Sequence, residues 1–365
     1  MKVALVKQLY DTHGPWASMP WSATSPTDLL KVWPGRALFW SMTVLLQADW
    51  YVIPQQVNTW YTWISGMAQP GERAVIRKYT RDIVQPQAIP WDSYDLVISL
   101  DACLRPPRGT RPLFAYYTGE HFDVQYACSK RETVRGYDLF LAHLLDAPEA
   151  CQRLPQAVAF PYLWDTTVTR SLMKGASHAA DAVFVEWRTL ALLSGDRTRQ
   201  SHWAQPTGAQ RTVGLTEDTA RKIAARLEDY LGLPVRFRLF RNGLYSALPD
   251  PPRWGDAFAY LTQLADCRYY VSLFAFGPGQ ALVDAAGVGA LVFGTARLPY
   301  HRLICHPACL CADLEELPRR FRQVCQSANL QAEVLAWQDT ALQTHFNTAP
   351  RRLLAEAIGR KGGQS

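Results

Sequence analysis

The sequence predicts an α/β protein with two parallel β-sheets in tandem, one in each half of the chain. Short apolar runs recur at regular intervals between turn residues, a pattern typical of strands that are buried on both faces of a parallel sheet. The stretches between these runs are long enough to hold crossover helices. The length of 365 residues is sufficient for two domains with separate hydrophobic cores.

The first half opens with an apolar run at Val3–Val6, which is interpreted as a strand, and a polar, turn-rich segment follows it. Further strands are predicted at Trp50–Ile53, Asp95–Leu100, Leu113–Tyr117, Leu139–Leu141 and Val158–Phe160. The pattern becomes polar between Thr166 and Ala180. We therefore expect one α/β domain over residues 1–170.

The second half repeats the order strand, helix, strand. A strand is predicted at Ala182–Val185, and the apolar residues of Glu217–Leu231 recur at helical spacing until Gly232 and Pro234 end the helix. Later elements are strands at Val235–Leu239, Tyr269–Leu273 and Ala290–Phe293, helices at 256–266 and from about Gln280, and short closing strands at Leu303–Cys305 and Cys309–Cys311. A second domain is predicted over residues 171–345, and a C-terminal helix with a frayed tail over residues 346–365.

Composition excludes several classes of protein. Hydrophobic residues make up 48% and charged residues 19% of the chain, which excludes a disordered protein. The apolar stretches fall short of the roughly 20 residues that cross a bilayer, and the N-terminus lacks the features of a signal peptide. A cytoplasmic protein is therefore expected. Its net charge of +6 fits an anionic small molecule, a phosphorylated acceptor or the acidic inner face of the membrane, whereas the lack of a long Lys/Arg run argues against a nucleic-acid partner.

The eight cysteines are scattered over both halves and are interpreted as reduced thiols. Cys305, Cys309 and Cys311 lie near His301 and His306 in the sequence, a combination that raises the question of zinc. The C-x3-C-x-C spacing is not one of the common zinc patterns. Buried thiols are therefore favoured, and no metal site is predicted.

The segment from Tyr269 to Gly294 carries the strongest functional pattern. A strand leads into a glycine turn, a helix follows, and a run of small residues precedes the next strand. Gly277 and Gly279 let the backbone approach a ligand closely, and the helix that begins near Gln280 offers free N–H groups and a positive dipole to a phosphate. The spacing is not G-x-G-x-x-G and no Walker lysine is present, so a nicotinamide site or a P-loop is poorly supported. The pattern predicts a diphosphate site; the alternative is a tight turn without a ligand.

This segment resembles the donor-binding half of glycosyltransferases with the GT-B fold, in which two Rossmann-like domains face a central cleft. The resemblance implies that Gly277, Pro278, Gly279 and Gln280 bind the diphosphate of a nucleotide sugar and that Asp284 contacts the nucleotide ribose. Asp284 matches the second acid of the Glu-x7-Glu pattern of retaining members. The first acidic position falls on Phe276, which departs from that pattern and weakens assignment to the retaining group.

Arg188 follows the strand Ala182–Val185, at a position where the C-terminal domain of GT-B enzymes often supplies a basic residue. A guanidinium binds phosphate oxygens in bidentate fashion, so the residue type suits the donor diphosphate. The alternative is a surface arginine that is paired with Glu186 or Asp196.

Two segments of the first half are candidates for the catalytic base. Thr118-Gly119-Glu120-His121 follows the strand Leu113–Tyr117 and resembles the Tyr-Thr-Gly-Glu element of α1,3-fucosyltransferases. Glu120 is the first candidate for the general base that deprotonates an acceptor hydroxyl, and His121 is the second. The alternative role for Glu120 is to cap the next helix or turn.

The rival base lies in the loop after the first strand. Asp11 and His13 occupy the loop in which inverting GT-B enzymes of the plant and antibiotic type carry a histidine base supported by an acid. Only one of the two bases, Glu120 or His13, can be central.

The resemblance implies transfer of a sugar from a nucleotide diphosphate sugar to a hydroxyl of a glycan, a lipid-linked or a small-molecule acceptor, without a cofactor or a metal ion. One alternative is a sugar-nucleotide epimerase or a related hydrolase. The other is a catalytically inactive GT-B-like protein that binds a glycan or a partner subunit, and Phe276 is the residue that favours it.

Overall fold

The computed structural model describes residues 1–8, 37–53, 86–100, 109, 111–117, 136–142, 151–152, 154–161, 163–165, 180–186, 189–190, 193, 217–237, 257–273 and 280–362. These residues belong to two compact units. The first contains the described residues of Met1–Asp165, Gly243–Ala257 and Asn347–Ser365, and the second contains those of Thr166–Asn242 and Phe258–Phe346.

The first unit contains a sheet of six parallel strands. These are β1 (Val3–Gln8), β2 (Asp49–Ile53), β3 (Leu96–Leu100), β4 (Leu113–Tyr117), β5 (Leu139–Ala142) and β6 (Ala157–Ala159). Their order across the sheet is β2-β1-β3-β4-β5-β6, and every neighbouring pair is parallel. All four residues of β5 are buried. This agrees with the prediction, made from the apolar runs, that the strands are covered on both faces.

Two helices of the first unit contact its other described residues. The helix α1 (Ala37–Leu46) buries Met42, and the Oγ atom of its Ser41 accepts a hydrogen bond of 3.0 Å from the backbone N–H of Asp165. The last helix of the chain, numbered α8 below (Ala349–Gly362), packs against β6. Just before that helix, Asn347 Nδ2 donates to the carbonyl oxygen of Trp164 over 3.4 Å.

The second unit contains a sheet of five parallel strands and most of the helices. In chain order its elements are β7 (Ala180–Val185), α2 (Glu217–Leu231), β8 (Val235–Arg236), α3 (Ala257–Ala265), β9 (Cys267–Ser272), α4 (Gln280–Gly287), β10 (Leu291–Thr295), α5 (Pro299–Ile304), β11 (Leu310–Cys311), α6 (Leu317–Cys325) and α7 (Ala328–Gln343). The strand order is β11-β10-β9-β7-β8, again with every neighbouring pair parallel. Aromatic rings fill the core of this unit, where Phe184 stacks on Tyr270 with ring centroids 6.0 Å apart.

The helix α2 has the bounds that the sequence pattern predicts, so that prediction is confirmed. Ala220, Ile223 and Leu227 form its buried stripe. Gly232 ends the helix with a φ of +73°, a left-handed conformation that glycine adopts without the strain of a Cβ. Tyr230 does not join the buried stripe, since it is 51% exposed.

The predicted strand at Leu303–Cys305 is wrong, because Leu303 and Ile304 belong to the helix α5. Pro299 occupies the first turn of α5, where its fixed φ favours a helix and its missing N–H costs nothing. The buried side chains of Tyr300, His301 and Ile304 lie on the side of the helix that packs inward. The second predicted closing strand is confirmed in shortened form as β11.

A buried glutamine completes one edge of β10. The Gln338 side chain of α7 is 1% exposed; its Oε1 accepts from Val292 N at 2.9 Å and its Nε2 donates to Ala290 O at 2.8 Å. The strand β11 pairs only with Gly294 and Thr295 of β10. The amide of Gln338 therefore takes the place of a neighbouring strand at the other end of β10.

Both sheets have the same connectivity. In each, the first strand of the unit lies between the second and the third, as in the doubly wound order 2-1-3-4-5, to which the first sheet adds β6 as a sixth strand. In such sheets the chain leaves the first and third strands toward opposite sides, and this topological switch point opens a crevice at the carboxyl ends of the strands. The switch points here lie between β1 and β3 and between β7 and β9.

Candidate functional site at the carboxyl edges of the two sheets

The two predicted phosphate-binding segments, Arg188 and the glycine segment of residues 274–279, follow the strands of the β7/β9 switch point. Val185 pairs with Val271, and Ser272 pairs with Gly294, so the carboxyl ends of β7, β9 and β10 lie along one edge of the sheet. In the sequence, Arg188 comes shortly after the end of β7, and the glycine segment comes shortly after the end of β9. The sheet topology therefore brings the starting points of both predicted phosphate-binding segments to one edge.

Most of the predicted donor-site residues lie outside the described residues. Arg188, Gly277, Pro278 and Gly279 are among these. Gln280 is the first residue of α4, as predicted for the helix that follows the glycine turn. The first-turn N–H groups of such a helix have no partner within the helix, which suits an anionic ligand.

Asp284 lies about one turn into α4 and is 2% exposed. Four residues of helix advance about 6 Å along the axis, so its Cα lies that far from the start of the helix. Its role in binding a ribose stays a prediction.

Three polar residues at this edge were not singled out from the sequence as site residues. Glu186 follows β7 and is 6% exposed, and Ser272 ends β9 with 8% exposure. The third, Thr189, is 1% exposed, and its Oγ1 accepts a hydrogen bond of 3.0 Å from the backbone N–H of Leu273. The sequence offered Glu186 only as the surface partner of an arginine, and its burial differs from that expectation.

The predicted base residues follow the corresponding edge of the first sheet. Asp11, His13, Glu120 and His121 lie outside the described residues. Lys7 of β1 pairs with Leu100 of β3, which pairs in turn with Tyr117 of β4. The strands that precede the two rival segments thus end along one edge of the sheet, and which segment supplies the base stays a prediction.

The end of β10 is held by a buried histidine. His301 of α5 is 1% exposed, and its Nδ1 accepts a hydrogen bond of 3.0 Å from the backbone N–H of Thr295. The acceptor role of Nδ1 requires a ring that carries its proton on Nε2. Burial lowers the pKa of His301 to about 3, because the charged ring would lose its hydration.

This burial predicts acid sensitivity. Between an unfolded-state pKa of about 6.5 and the lowered pKa in the folded state, the unfolded chain binds a proton that the folded chain excludes, so stability falls as the pH drops through that window. Asparagine at position 301 keeps an acceptor for the Thr295 amide but does not titrate. Urea titrations at pH 7 and pH 5 measure how much the free energy of unfolding falls between the two pH values. We expect this fall to be about 2 kcal/mol smaller in His301→Asn than in the wild type.

The control for this comparison is His345→Asn, which replaces a half-buried histidine of the same unit, whereas His301 is fully buried. It shows how much of any change in pH dependence comes from the loss of a histidine other than His301. An identical pH dependence for the wild type and His301→Asn would contradict the prediction.

The cysteines near His301 are buried thiols. Cys305, Cys309 and Cys311 are each 0% exposed, and burial raises the pKa of Cys309 and of Cys311 to about 12. In the part of the chain that the structure describes, no group of three His, Cys, Asp or Glu side chains is arranged to hold a metal ion. His306, the other histidine considered for zinc, uses its Nδ1 to accept from Ala308 N at 3.2 Å.

Among the helices that the structure describes, none has both the length and the apolar character that a membrane crossing requires.

Comparisons with known proteins identify the fold. No protein-family profile matches the sequence, and no curated protein matches it. HepE of Anabaena, solved in complex with UDP and glucose, has a TM-score of 0.51 and 14% identity over 99% of this chain and 100% of its own. The α,α-trehalose 6-phosphate synthase of Burkholderia multivorans has a TM-score of 0.50 and 10% identity over 100% of this chain and 97% of its own.

Similarity at this level of identity establishes the fold alone. The predicted fold class, two Rossmann-like parallel-sheet domains of the GT-B type, is therefore confirmed.

Proposed function

We propose that this chain is a glycosyltransferase that moves a sugar from a nucleotide diphosphate sugar to a hydroxyl group. The observation that carries the proposal is the β7/β9 switch point, whose two strands lead directly into Arg188 and into the glycine segment. Ligands of doubly wound sheets bind at this place. The complex of HepE with UDP and glucose, seen in a protein of the same fold, supports a nucleotide sugar as the donor.

In the proposed reaction, the bond between the anomeric carbon and the donor phosphate oxygen breaks while a bond to the acceptor oxygen forms. Glu120 or His13 takes the proton of the acceptor hydroxyl. The diphosphate leaves with an added negative charge, which Arg188 and the backbone N–H groups of 277–280 neutralise. Because these groups supply the positive charge, we infer that the transfer of a hexose or deoxyhexose proceeds without a metal ion or a cofactor.

The acceptor belongs to the class of glycans, lipid-linked or small-molecule hydroxyl compounds. The net charge of +6 is compatible with a phosphorylated acceptor. It is also compatible with a cytoplasmic enzyme that associates with the acidic inner face of the membrane.

Isothermal titration with uridine, guanosine and thymidine diphosphate tests the proposal. We expect one of them to bind the wild-type chain with a micromolar Kd. Loss of charge-assisted hydrogen bonds in Arg188→Ala should weaken that binding by about 10-fold to 100-fold. The control is Arg352→Ala, since Arg352 is 64% exposed and forms its ion pair with Glu356 within α8.

A second function is favoured by one residue. Phe276 occupies the position of the first acid in the Glu-x7-Glu pattern, and its ring cannot accept hydrogen bonds from a sugar hydroxyl. A catalytically inactive protein that binds a glycan or a partner subunit would show no affinity for any of the three nucleotides. That result would contradict the transferase proposal, as would equal binding by the wild type and Arg188→Ala.

A further inference from the structure

The side chain of Thr189 links the carboxyl ends of β7 and β9. The Oγ1 atom of Thr189 accepts a hydrogen bond of 3.0 Å from the backbone N–H of Leu273, across 84 residues of sequence. Thr189 is 1% exposed and Leu273 is 8% exposed. Water therefore has little access to either group, and the threonine satisfies a buried N–H that would otherwise cost about 1–3 kcal/mol.

The turn that carries Thr189 is anchored at both ends. Glu186 N–H donates to Val271 O over 3.0 Å and so continues the ladder between β7 and β9. The carbonyl oxygen of Glu186 then accepts from the N–H groups of Thr189 at 2.9 Å and Leu190 at 3.3 Å. The Thr189 side chain ties the far end of this turn back to β9, so both ends of the segment are fixed to the same neighbouring strand.

The two residues of this link adjoin the two predicted phosphate-binding segments in the sequence. Arg188 is bonded to Thr189, and Leu273 is followed directly by residues 274–279, which hold the glycines. A diphosphate that is held by a guanidinium and by backbone amides requires both at a fixed separation, since displacements of about 1 Å cost up to 100-fold in well-ordered sites. The link joins Thr189 and Leu273, the described residues that adjoin the two segments in the sequence.

We propose that Thr189 is a positioning residue of the donor site, which through its hydrogen bond to Leu273 holds together the ends of β7 and β9 from which the two predicted phosphate-binding segments start. The inference rests on the proposed function, because it assigns Thr189 a role at the same diphosphate site. Thr189 acts through its neighbours and makes no contact with the donor in this mechanism.

Three substitutions test this role by titration with uridine, guanosine and thymidine diphosphate. Thr189→Val keeps the shape of the side chain but cannot accept the hydrogen bond, Thr189→Ala removes the acceptor in a smaller side chain, and Thr189→Ser restores the acceptor. We expect the valine and alanine variants to raise the Kd of the nucleotide that binds the wild type by about 10-fold, and the serine variant to stay within about twofold.

A destabilised control separates positioning from general loss of structure. Gln338→Ala removes two buried hydrogen bonds at the amino-terminal half of β10, away from the switch point. It should lower the midpoint of thermal unfolding and leave the Kd unchanged under conditions where circular dichroism shows a folded chain. A Kd that rises equally in Gln338→Ala and Thr189→Val would assign Thr189 a structural role only and overturn the inference.

Hydrogen exchange of the wild-type chain gives a test that needs no variant. If the link and the ligand stabilise each other, the binding nucleotide must slow exchange of the Leu273 amide more than that of the Val292 amide, which is bonded to Gln338. Equal slowing of both amides overturns the inference even where the valine and alanine variants fail to fold.

The two proposals fail in different ways. If the wild type binds a nucleotide and the valine and alanine variants bind it equally well, the role of Thr189 is refuted and the proposed function stands. If the wild type binds none of the three nucleotides, the proposed function is refuted, and the role of Thr189 falls with it.

Discussion

Replacing Gly294 with alanine is expected to lower the free energy of unfolding by about 3 kcal/mol, because it overpacks a closed part of the core. Gly294 lies in β10 between β9 and β11. A Cβ atom there would lie 2.6 Å from His301 Nδ1 and 2.7 Å from Cys305 Sγ. Both neighbours are buried, so α5 must move outward and the hydrogen bond from Thr295 N–H to His301 must lengthen.

Urea unfolding followed by far-ultraviolet circular dichroism measures this effect. The matched control is Gly359→Ala in α8, where a Cβ would meet nothing within 4 Å. Alanine inside a helix is favoured over glycine, so the control should gain about 0.5–1 kcal/mol. A change below about 0.5 kcal/mol in Gly294→Ala would mean that α5 shifts at little cost, contrary to the expected close packing.

Gln338→Ala is the second substitution with a large expected effect, a loss of about 3 kcal/mol. It removes both atoms that satisfy the backbone of β10 and leaves Val292 N–H and Ala290 C=O buried without a partner, at about 1–3 kcal/mol each. Gln338→Glu distinguishes the two bonds, since a carboxylate accepts from Val292 N–H but cannot donate to Ala290 O. It should also destabilise the protein.

The control for this series is Gln323→Ala, which changes an exposed glutamine of the neighbouring helix α6. Its unfolding midpoint in urea should differ little from that of the wild type. If Gln338→Ala proved equally mild, water would have to enter and replace the glutamine amide, and Gln338 would not act as a substitute strand.

Local patterns in the sequence were sufficient for most of the strands and for α2. Leu113–Tyr117 was predicted with the bounds of β4, because its apolar run has turn residues at both sides. The run Leu303–Cys305 misled for a physical reason: a short apolar run has no periodicity of its own and fits a buried strand or a buried helix equally well. Pro299, which favours the first turn of a helix, was the available signal.

In the candidate site, too, some features could be predicted from the local sequence and others could not. The start of α4 at Gln280 follows from residue types and spacing near one another in the sequence, and the roles of the glycine segment and Arg188 stay predictions. The link between Thr189 and Leu273 joins residues 84 positions apart. The acceptor role of His301 likewise depends on how α5 packs against β10. Such contacts depend on strand order and packing, which no local pattern specifies.

The helix α8 belongs to the first unit although it lies after the second unit in the sequence, and this affects how the protein folds during translation. The ribosome releases the strand β6 near residue 159 about two hundred residues before the helix that packs against it. That flank of β6 lacks its contact with α8 until residues 349–362 have been synthesised. Deletion of residues 349–362 would therefore destabilise the first unit, most of which is synthesised earlier than α8.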